Sequence, residues 1–441
     1  MTTDDVAGKT SPCGCHTPKG GLARRAAFLD SVRAVRKHVL VVDAGGFFPL
    51  TDDEQEAAPY MLIAMARMGT HVAGVGSGEL RFGYAFAREN ARSAGVPLVC
   101  ANLVRSDSGR PAFLAWGLLE VKGIKERPLE VGVFGLMAEN SELGPARDSL
   151  RIVNAEGAAR RTVRELRARG ANVVILLSQL GKAVGDSVAA RVPGIDLMVG
   201  GGGVPELPRG MPIGAGPGMA LHGGIEGWQV GVADVAVDGR NAVRHISART
   251  IVLGPDVRTQ PAMDASVEEF ENALNDHLRA RKAAFGHGTA PGATGHHYVG
   301  MSNCIRCHAR EKAQWLTTAH ARGWKTLVED QKESTPQCIR CHVTGYDEPG
   351  GFRTADDVAR LGNVQCEACH GMGTRHKDWT ENGNKVVEAT CKSCHTETTS
   401  PTFKLADYLP HVLHNPPPRL RPLPDTPAQK LMRERKALHG R

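Results

Sequence analysis

The chain has 441 residues, of which 41% are hydrophobic and 23% are charged, and its formal net charge is +7. This length exceeds the roughly 100 to 200 residues of a typical domain, so at least two domains are expected. The composition excludes a disordered or membrane-embedded chain, and no apolar run is long enough for a transmembrane span. Because the Lys and Arg residues are scattered rather than massed, the charge favours solubility over nucleic-acid binding.

From about residue 20 to 250, apolar strand-like segments alternate with helical segments. The strand-like segments include VLVVDAGG near residue 39, VPLVCANL near 96 and ANVVILLSQLG near 171. Between them, DEQEAAPYMLIAMARMG and AEGAARRTVRELRARG have the three-and-four spacing of apolar residues that is typical of helices. Continuous apolar strands separated by helices predict a sheet that is buried on both faces, and therefore an α/β domain over residues 1–254.

The chain changes character after residue 254. A polar helix, ASVEEFENALNDHLRARKAAF, and the Gly-rich stretch GHGTAPGATGHH predict a linker over residues 255–297. Residues 298–415 contain few strand signals and several short helical segments, which predict a mainly helical second domain. The Pro-rich stretch NPPPRLRPLPDTP is incompatible with regular structure, so residues 416–441 are expected to form an extended tail and a short C-terminal segment.

Eight of the eleven cysteines fall in four copies of the pattern C-x-x-C-H. This pattern is the haem c attachment signature, in which two thiols on one helical turn bond the porphyrin vinyl groups and the adjoining His reaches the iron. A zinc site or a redox dithiol would also use C-x-x-C, but the repeated fifth residue favours four haems. The expected attachment residues are Cys304, Cys307, Cys338, Cys341, Cys366, Cys369, Cys391 and Cys394, and the expected proximal ligands are His308, His342, His370 and His395.

A second axial ligand for each iron would have to come from the remaining histidines of this half of the chain. We expect His320, His376 and His414 to serve as distal ligands, and His411, His296 and His297 are weaker candidates, as is His287. Two His ligands lower the reduction potential and leave no open position, which favours electron transfer; Met301 and Met372 are alternative axial ligands. Four haems within about 120 residues leave little polypeptide for separate cores, so the porphyrins are expected to pack against one another.

The segment from 298 to 415 resembles the tetrahaem cytochrome family whose members accept electrons from hydroxylamine oxidoreductase. The resemblance is carried by YVGMSNCIRCH, CIRCHVTGY, VQCEACHG and YLPHVLH. It implies closely packed haem pairs, of which three haems are bis-histidine and one is five-coordinate with a constrained vacant face. By similarity, the five-coordinate haem here would be attached at Cys338 and Cys341, with His342 as its proximal ligand.

Residues 13 to 250 resemble the calcineurin-type metallophosphatase domain of 5'-nucleotidases, in GGLARRAAFL, VLVVDAGGFF, GVPLVCANL, EVGVFGL and VVILLSQLG. The resemblance implies a sandwich of sheets flanked by helices. A two-metal phosphoesterase needs carboxylate and imidazole ligands to activate water. None of them is expected to remain here, so no nucleotidase or other phosphatase activity is expected. At the family's ligand positions this sequence has Cys13-Gly14-Cys15, Gly46, Ser77-Gly78, Gln179, and Gly202 or Gly203 with Val204.

Cys13, Cys15 and His16 would then occupy a vacated ligand position. Two soft thiolates beside an imidazole suit copper or zinc, and the alternative is a local disulfide or a pair of packed thiols. Cys100 is expected to be an ordinary buried strand residue.

Haem c is attached outside the bacterial cytoplasm, so a periplasmic or extracellular location is expected. The first residues, MTTDDVAGKTSPCGCH, contain neither a basic n-region nor an apolar h-region, so the signal peptide is expected to be absent from this sequence.

The favoured function is an electron carrier with protein redox donors and acceptors, other multihaem cytochromes or a membrane-bound oxidoreductase among them, and with the first domain as a docking or assembly platform. Two alternatives stay open: a haem enzyme that converts a small nitrogen species at a five-coordinate iron, and a structural subunit of a larger haem assembly. No catalytic acid is singled out for the enzyme alternative.

Overall fold

The computed structural model describes residues 1–13, 17–51, 54–121, 128–201, 208–214, 216–284, 295–330, 332–333, 335–346, 348–378, 386–396 and 399–414, without the side chains of 278–279 and 281–284. The described chain forms two compact units. The first comprises Met1–Cys13 and Pro18–Phe270, and the second is formed mainly by the residues from Glu271 onward. This division falls within the predicted linker, and the finer domain bounds stay a prediction.

The strands of the first unit belong to two six-stranded sheets and one two-stranded sheet. They are β1 (Thr2–Thr3), β2 (Val42–Asp43), β3 (Val72–Gly74), β4 (Leu98–Val99), β5 (Leu103–Arg105), β6 (Trp116–Val121), β7 (Leu129–Met137), β8 (Leu150–Ile152), β9 (Val173–Gln179), β10 (Leu197–Gly200), β11 (Met211–Pro212), β12 (Met219–His222), β13 (Gln229–Val237) and β14 (Val243–Val252).

In the first sheet the strand order is β14-β13-β1-β2-β3-β4, and in the second it is β11-β12-β10-β9-β7-β6. β1 to β4 run parallel, as do β7, β9, β10 and β12. β13 pairs antiparallel with both β1 and β14, and the edge strands β6 and β11 are antiparallel to their neighbours β7 and β12. β5 and β8 form the small antiparallel sheet. The carboxyl ends of parallel strands meet at one edge of each sheet, which is where α/β proteins build their sites.

The helices of the first unit cover the outer faces of the sheets. They are α1 (Leu22–Val35), α2 (Ala57–Arg67), α3 (Ser77–Leu80), α4 (Tyr84–Ala94), α5 (Ala155–Ala168), α6 (Lys182–Arg191) and the first part of α7 (Pro261–Ala284), which continues past Phe270 into the second unit, with a 3-10 turn at Gly144–Ala146. Along β9 the side chains alternate, because Ile175 and Leu177 pack against the facing sheet while Val174 and Leu176 pack under α5 and α6. The predicted α/β sandwich flanked by helices is confirmed.

The second unit consists of short helices joined by turns. They are α8 (Met301–Cys304), α9 (Ala309–Trp315), α10 (Gly323–Glu329), α11 (Pro336–His342), α12 (Val358–Leu361), α13 (Cys366–His370), α14 (Glu388–Lys392) and α15 (Leu405–Tyr408), with 3-10 turns at Ala319–Arg322, Ala355–Asp357, Gly373–Arg375 and Leu409–His411. Among the described residues of this unit, the buried apolar cluster comprises Leu327, Ile339, Val343, Phe352 and Leu361. The mainly helical second domain is confirmed.

None of the described helices is both long enough and apolar enough to cross a membrane. Four predicted features lie outside the described residues: most of the Gly-rich part of the linker with His287, the tail at 416–441, Cys15 with Gly14 and His16, and the predicted ligand positions at Gly202, Gly203 and Val204.

Candidate functional site

The four C-x-x-C-H motifs lie on helical turns of the second unit. α11 ends at His342, and α13 coincides with the third motif. In the first motif the backbone N–H of His308 donates to Cys304 O at 3.0 Å, and the fourth motif repeats this contact between His395 and Cys391 at 2.9 Å. Each motif therefore presents its thiols and its imidazole on about one helical turn, and among the described residues none of the eight motif cysteines forms a disulfide.

Three of the four motif histidines face another histidine. A metal–nitrogen bond to imidazole is about 2.0 Å long and a ring nitrogen lies about 1.1 Å from the ring centre, so two imidazoles on opposite sides of one metal ion have centroids about 6.2 Å apart. The observed spacing therefore fits an iron between each pair. The pairs are His308 with His376 at 6.2 Å, His320 with His395 at 6.2 Å, and His370 with His414 at 6.0 Å between ring centroids.

His342 is different, since no second histidine ring contacts it among the described residues. Its Nδ1 lies 2.8 Å from Gly323 O and 3.1 Å from Thr326 Oγ1, both at the start of α10. A hydrogen bond from Nδ1–H to a carbonyl fixes the tautomer and leaves Nε2 free to bind a metal. His342 can therefore bind an iron through Nε2, but among the described residues no second histidine lies on the opposite side.

Other axial histidines have similar partners at Nδ1. His395 Nδ1 lies 2.8 Å from Ser400 Oγ, and His414 Nδ1 lies 3.3 Å from Gln314 Oε1. Burial lowers the pKa of His395, so the neutral imidazole that binds metals is favoured. No sequence pattern identifies these partners, because any nearby carbonyl, amide or hydroxyl oxygen can accept the imidazole N–H.

The motifs adjoin each other in two pairs. The thiol of Cys304 in the first motif lies beside that of Cys366 in the third, and this contact lowers the pKa of Cys366. The thiol of Cys341 in the second motif likewise lies beside that of Cys394 in the fourth, and the pKa of Cys394 is lowered. The first and third attachment sites are therefore neighbours, and so are the second and fourth.

The weaker axial candidates lie outside the three histidine pairs. His411 is half-buried in the last 3-10 turn, and among the described residues its ring contacts no motif histidine. The backbone N–H of His297 donates to Thr374 Oγ1 at 2.8 Å, and that of Met301 donates to Gln365 Oε1 at 2.9 Å.

At the carboxyl end of β1, the structure corrects the alignment of the first metallophosphatase ligand. Asp5 follows β1, and its Oδ1 accepts a hydrogen bond from Gln179 Nε2 at 3.1 Å. The backbones of Gly46 and Gly201 pack closely against the Asp5 carboxylate. A Cβ on Gly46 would clash with Asp5 Oδ1, and one on Gly201 would lie 2.6 Å from Asp5 Oδ2. Asp5 is thus the acidic residue that lies beside the predicted ligand positions Gly46 and Gln179. The prediction that Cys13-Gly14-Cys15 occupies the first ligand position was wrong.

One acidic ligand of the family, Asp5, is therefore retained. The expectation that none of the family's ligands remains was wrong at this position. The space beside the carboxylate is nevertheless filled by the Gln179 amide and by glycine backbone. Among the described residues, no group of three or more His, Cys, Asp or Glu side chains is arranged to hold a metal ion.

Cys13 is a packed thiol. Its sulfur accepts a hydrogen bond from Trp228 Nε1 at 2.8 Å, and the thiol donates to Glu226 Oε2 at 3.3 Å. Burial raises the pKa of Cys13 to about 12, so the thiolate that a soft metal requires is disfavoured. Cys100 is fully buried directly after β4, where burial likewise raises its pKa to about 12.

Comparisons with known proteins separate the two units. Residues 303–371 match the family described as cytochrome c554 and c-prime. Cytochrome c-554 of Nitrosomonas europaea is 26% identical over 134 residues, which cover 22% of this chain and 57% of that protein. Snake venom 5'-nucleotidase of Crotalus adamanteus is 25% identical over 302 residues, which cover 62% of this chain and 49% of that protein. The chain therefore spans only about half the length of each relative.

Among solved structures, the 5'-nucleotidase precursor from Thermus thermophilus superposes with a TM-score of 0.53 at 23% identity, covering 62% of this chain and 58% of that chain. This similarity concerns the fold. A cytochrome c554 domain in the C-terminal region and a 5'-nucleotidase-like, calcineurin-type metallophosphatase fold in the N-terminal region are thus confirmed as the two parts of the molecule.

Proposed function

We propose that this chain is a multihaem c-type cytochrome that transfers electrons through four covalently bound haems. The observation that carries the proposal is the facing of three motif histidines by three other histidines at 6.0 to 6.2 Å. Thiols and imidazoles on single helical turns support covalent attachment at all four motifs. Bound haem c supplies a one-electron iron couple, whose potential depends on the axial ligands and on the hydrogen bonds around them.

The axial ligands follow from the histidine pairs. His376 would supply the second ligand at the first site, His414 at the third and His320 at the fourth, because each faces the motif histidine of that site. Two imidazoles saturate an iron and bind both of its oxidation states, which suits rapid electron transfer. The adjacency of Cys304 to Cys366 and of Cys341 to Cys394 supports two groups of neighbouring redox sites.

The second site supports the alternative function. His342 has an anchored Nδ1 and, among the described residues, no histidine facing it. An iron bound there would keep an open sixth position, where a small nitrogen species could be reduced or oxidised. Neither this enzyme function nor a structural role in a larger haem assembly is favoured over electron transfer, because three of the sites are supplied with two axial ligands.

The first unit serves as a docking or assembly platform for redox partners and has no phosphoesterase activity. Among the described residues, the Gln179 amide and glycine backbone lie against the Asp5 carboxylate, and no group of three or more His, Cys, Asp or Glu side chains could hold a metal ion, which supports this part of the proposal. With added manganese, nucleotides and generic phosphoesters should not be turned over. Turnover that disappears when the protein is unfolded would contradict this part of the proposal.

The partners would be protein electron donors and acceptors, including other multihaem cytochromes or a membrane-bound oxidoreductase, outside the bacterial cytoplasm where haem c is attached. A redox titration combined with stopped-flow addition of nitrite, nitric oxide or hydroxylamine tests the proposal. A carrier should titrate reversibly with no ligand-dependent shift of its potentials. A shift confined to one haem, together with turnover of the ligand, would favour the enzyme alternative instead.

A further inference from the structure

A buried polar stretch leads into and through the third haem motif. Gln365 is 5% exposed and Glu367 is 2% exposed, although neither is a proposed attachment residue or iron ligand. Buried polar side chains persist where the fold supplies their hydrogen-bond partners. The partners of Glu367 therefore show which parts of the unit this side chain holds together.

The Glu367 carboxylate accepts three backbone hydrogen bonds. Its Oε1 accepts from Val299 N at 2.9 Å and from Gly373 N at 2.6 Å, and its Oε2 accepts from Gly300 N at 2.7 Å. Gly300 has a φ of 84°, a left-handed conformation that other residues adopt only with strain, so this loop is shaped to bring its N–H to the carboxylate. The donors belong to two segments that are far apart in sequence.

These two segments lead to the two histidines of one pair. Val299 and Gly300 immediately precede α8, beyond which lies His308. Gly373 begins the 3-10 turn that runs directly into His376. The rings of His308 and His376 face each other at 6.2 Å. One carboxylate therefore accepts hydrogen bonds from the segments that precede both histidines.

The carboxylate is not a requirement of haem attachment itself. The corresponding position is Ile305 in the first motif, Ile339 in the second and Lys392 in the fourth. Hydrogen bonds to a carboxylate are shorter and stronger than those between neutral groups. Glu367 therefore binds the two segments, at Val299–Gly300 and at Gly373, more strongly than an amide or hydroxyl would.

We propose that Glu367 is a positioning residue: from within the third motif, it fixes the separation of His308 and His376 and so keeps the iron of the first motif six-coordinate. The inference rests on the proposed function, because it requires these two histidines to bind one haem. Its effect is specific, since His370 of the same motif faces His414, whose Nδ1 partner is Gln314 rather than Glu367.

Mössbauer spectroscopy of the oxidised, iron-57-enriched full-length protein tests the proposal, since it counts every iron by spin state. The proposed ligation predicts about one quarter of the iron high-spin in the wild type. Glu367→Ala should raise this to about one half and remove the low-spin signal of one haem. Glu388→Ala is the matched control, because Glu388 is an exposed acid beside the fourth motif that pairs only with Lys392 among the described residues, and it should leave the spectrum unchanged.

Glu367→Gln provides a second variant that preserves volume and one acceptor oxygen. It should keep the first iron low-spin but shift the electron paramagnetic resonance signal of that one haem, and it decides the outcome if Glu367→Ala fails to accumulate. A Glu367→Ala protein with four haems and a wild-type high-spin fraction would overturn the inference, as would an unshifted Glu367→Gln spectrum. A wild type without the predicted high-spin quarter would instead count against the proposed ligation.

Discussion

Replacement of Glu79 should destabilise the first unit by several kilocalories per mole. Glu79 is fully buried, and its carboxylate accepts backbone hydrogen bonds from Gly46, Phe47, Phe48 and Gly76 at 2.8 to 3.2 Å. A hydrogen bond to a charged group contributes about 1.5 to 3 kcal/mol, and bonds to one carboxylate are not additive. Glu79→Ala leaves four N–H groups without this acceptor, so we expect a loss of about 3 to 5 kcal/mol.

Glu79→Gln separates the hydrogen bonds from the volume of the side chain. Its single oxygen can serve only one of the two donor pairs, so we expect a loss of about 1.5 to 3 kcal/mol. Urea denaturation of the full-length protein measures the free energy of unfolding, and hydrogen exchange at residues 44–48 reports on the loop. The exposed Glu89 is the control, for which replacement by Ala should cost less than about 0.5 kcal/mol. A Glu79→Ala protein within that margin of the wild type would refute the reasoning.

Three further changes have defined outcomes. Burial raises the pKa of Asp4, so the native state retains a proton that the unfolded chain releases above about pH 4. Stability should therefore fall as the pH rises above about 4, and Asp4→Asn, which still accepts from Gly223, should reduce this fall in urea titrations, whereas an unchanged pH dependence would contradict the assignment to Asp4. His376→Ala should create a second high-spin haem by resonance Raman spectroscopy, whereas His411→Ala should not; equal effects would contradict the pairing. Leu176→Ala, at a fully buried site, should cost about 2.7 to 5 kcal/mol, and a loss below about 1 kcal/mol would contradict tight packing there.

Much of the fold was predictable because long parallel strands leave a clear signal. ANVVILLSQLG is almost continuously apolar, and β9 within it is indeed covered by the facing sheet on one side and by helices on the other. β1 left no such signal, since it is a two-residue strand of Thr2 and Thr3 before two acidic residues. The first ligand position was therefore sought too late in the chain, at Cys13, and the structure places it at Asp5.

The haem attachment residues were predictable from local sequence, because one helical turn contains the whole motif. The pairing of axial histidines was not, since it depends on tertiary contacts. His376 lies only six residues after His370, yet it faces His308 of a motif far earlier in the chain. The role proposed for Glu367 was hidden for the same reason, because its three hydrogen-bond donors come from elsewhere in the chain.

The central claim is that four covalent haems bind this chain, three of them between two histidines. Near-infrared magnetic circular dichroism of the oxidised protein tests it most directly, because the charge-transfer band of low-spin haem identifies the pair of axial ligands. The pairs formed by His376, His320 and His414 predict three equivalents of bis-histidine haem and one high-spin equivalent at His342. A histidine–methionine band, or four equivalents of bis-histidine haem, would contradict the ligation proposed here.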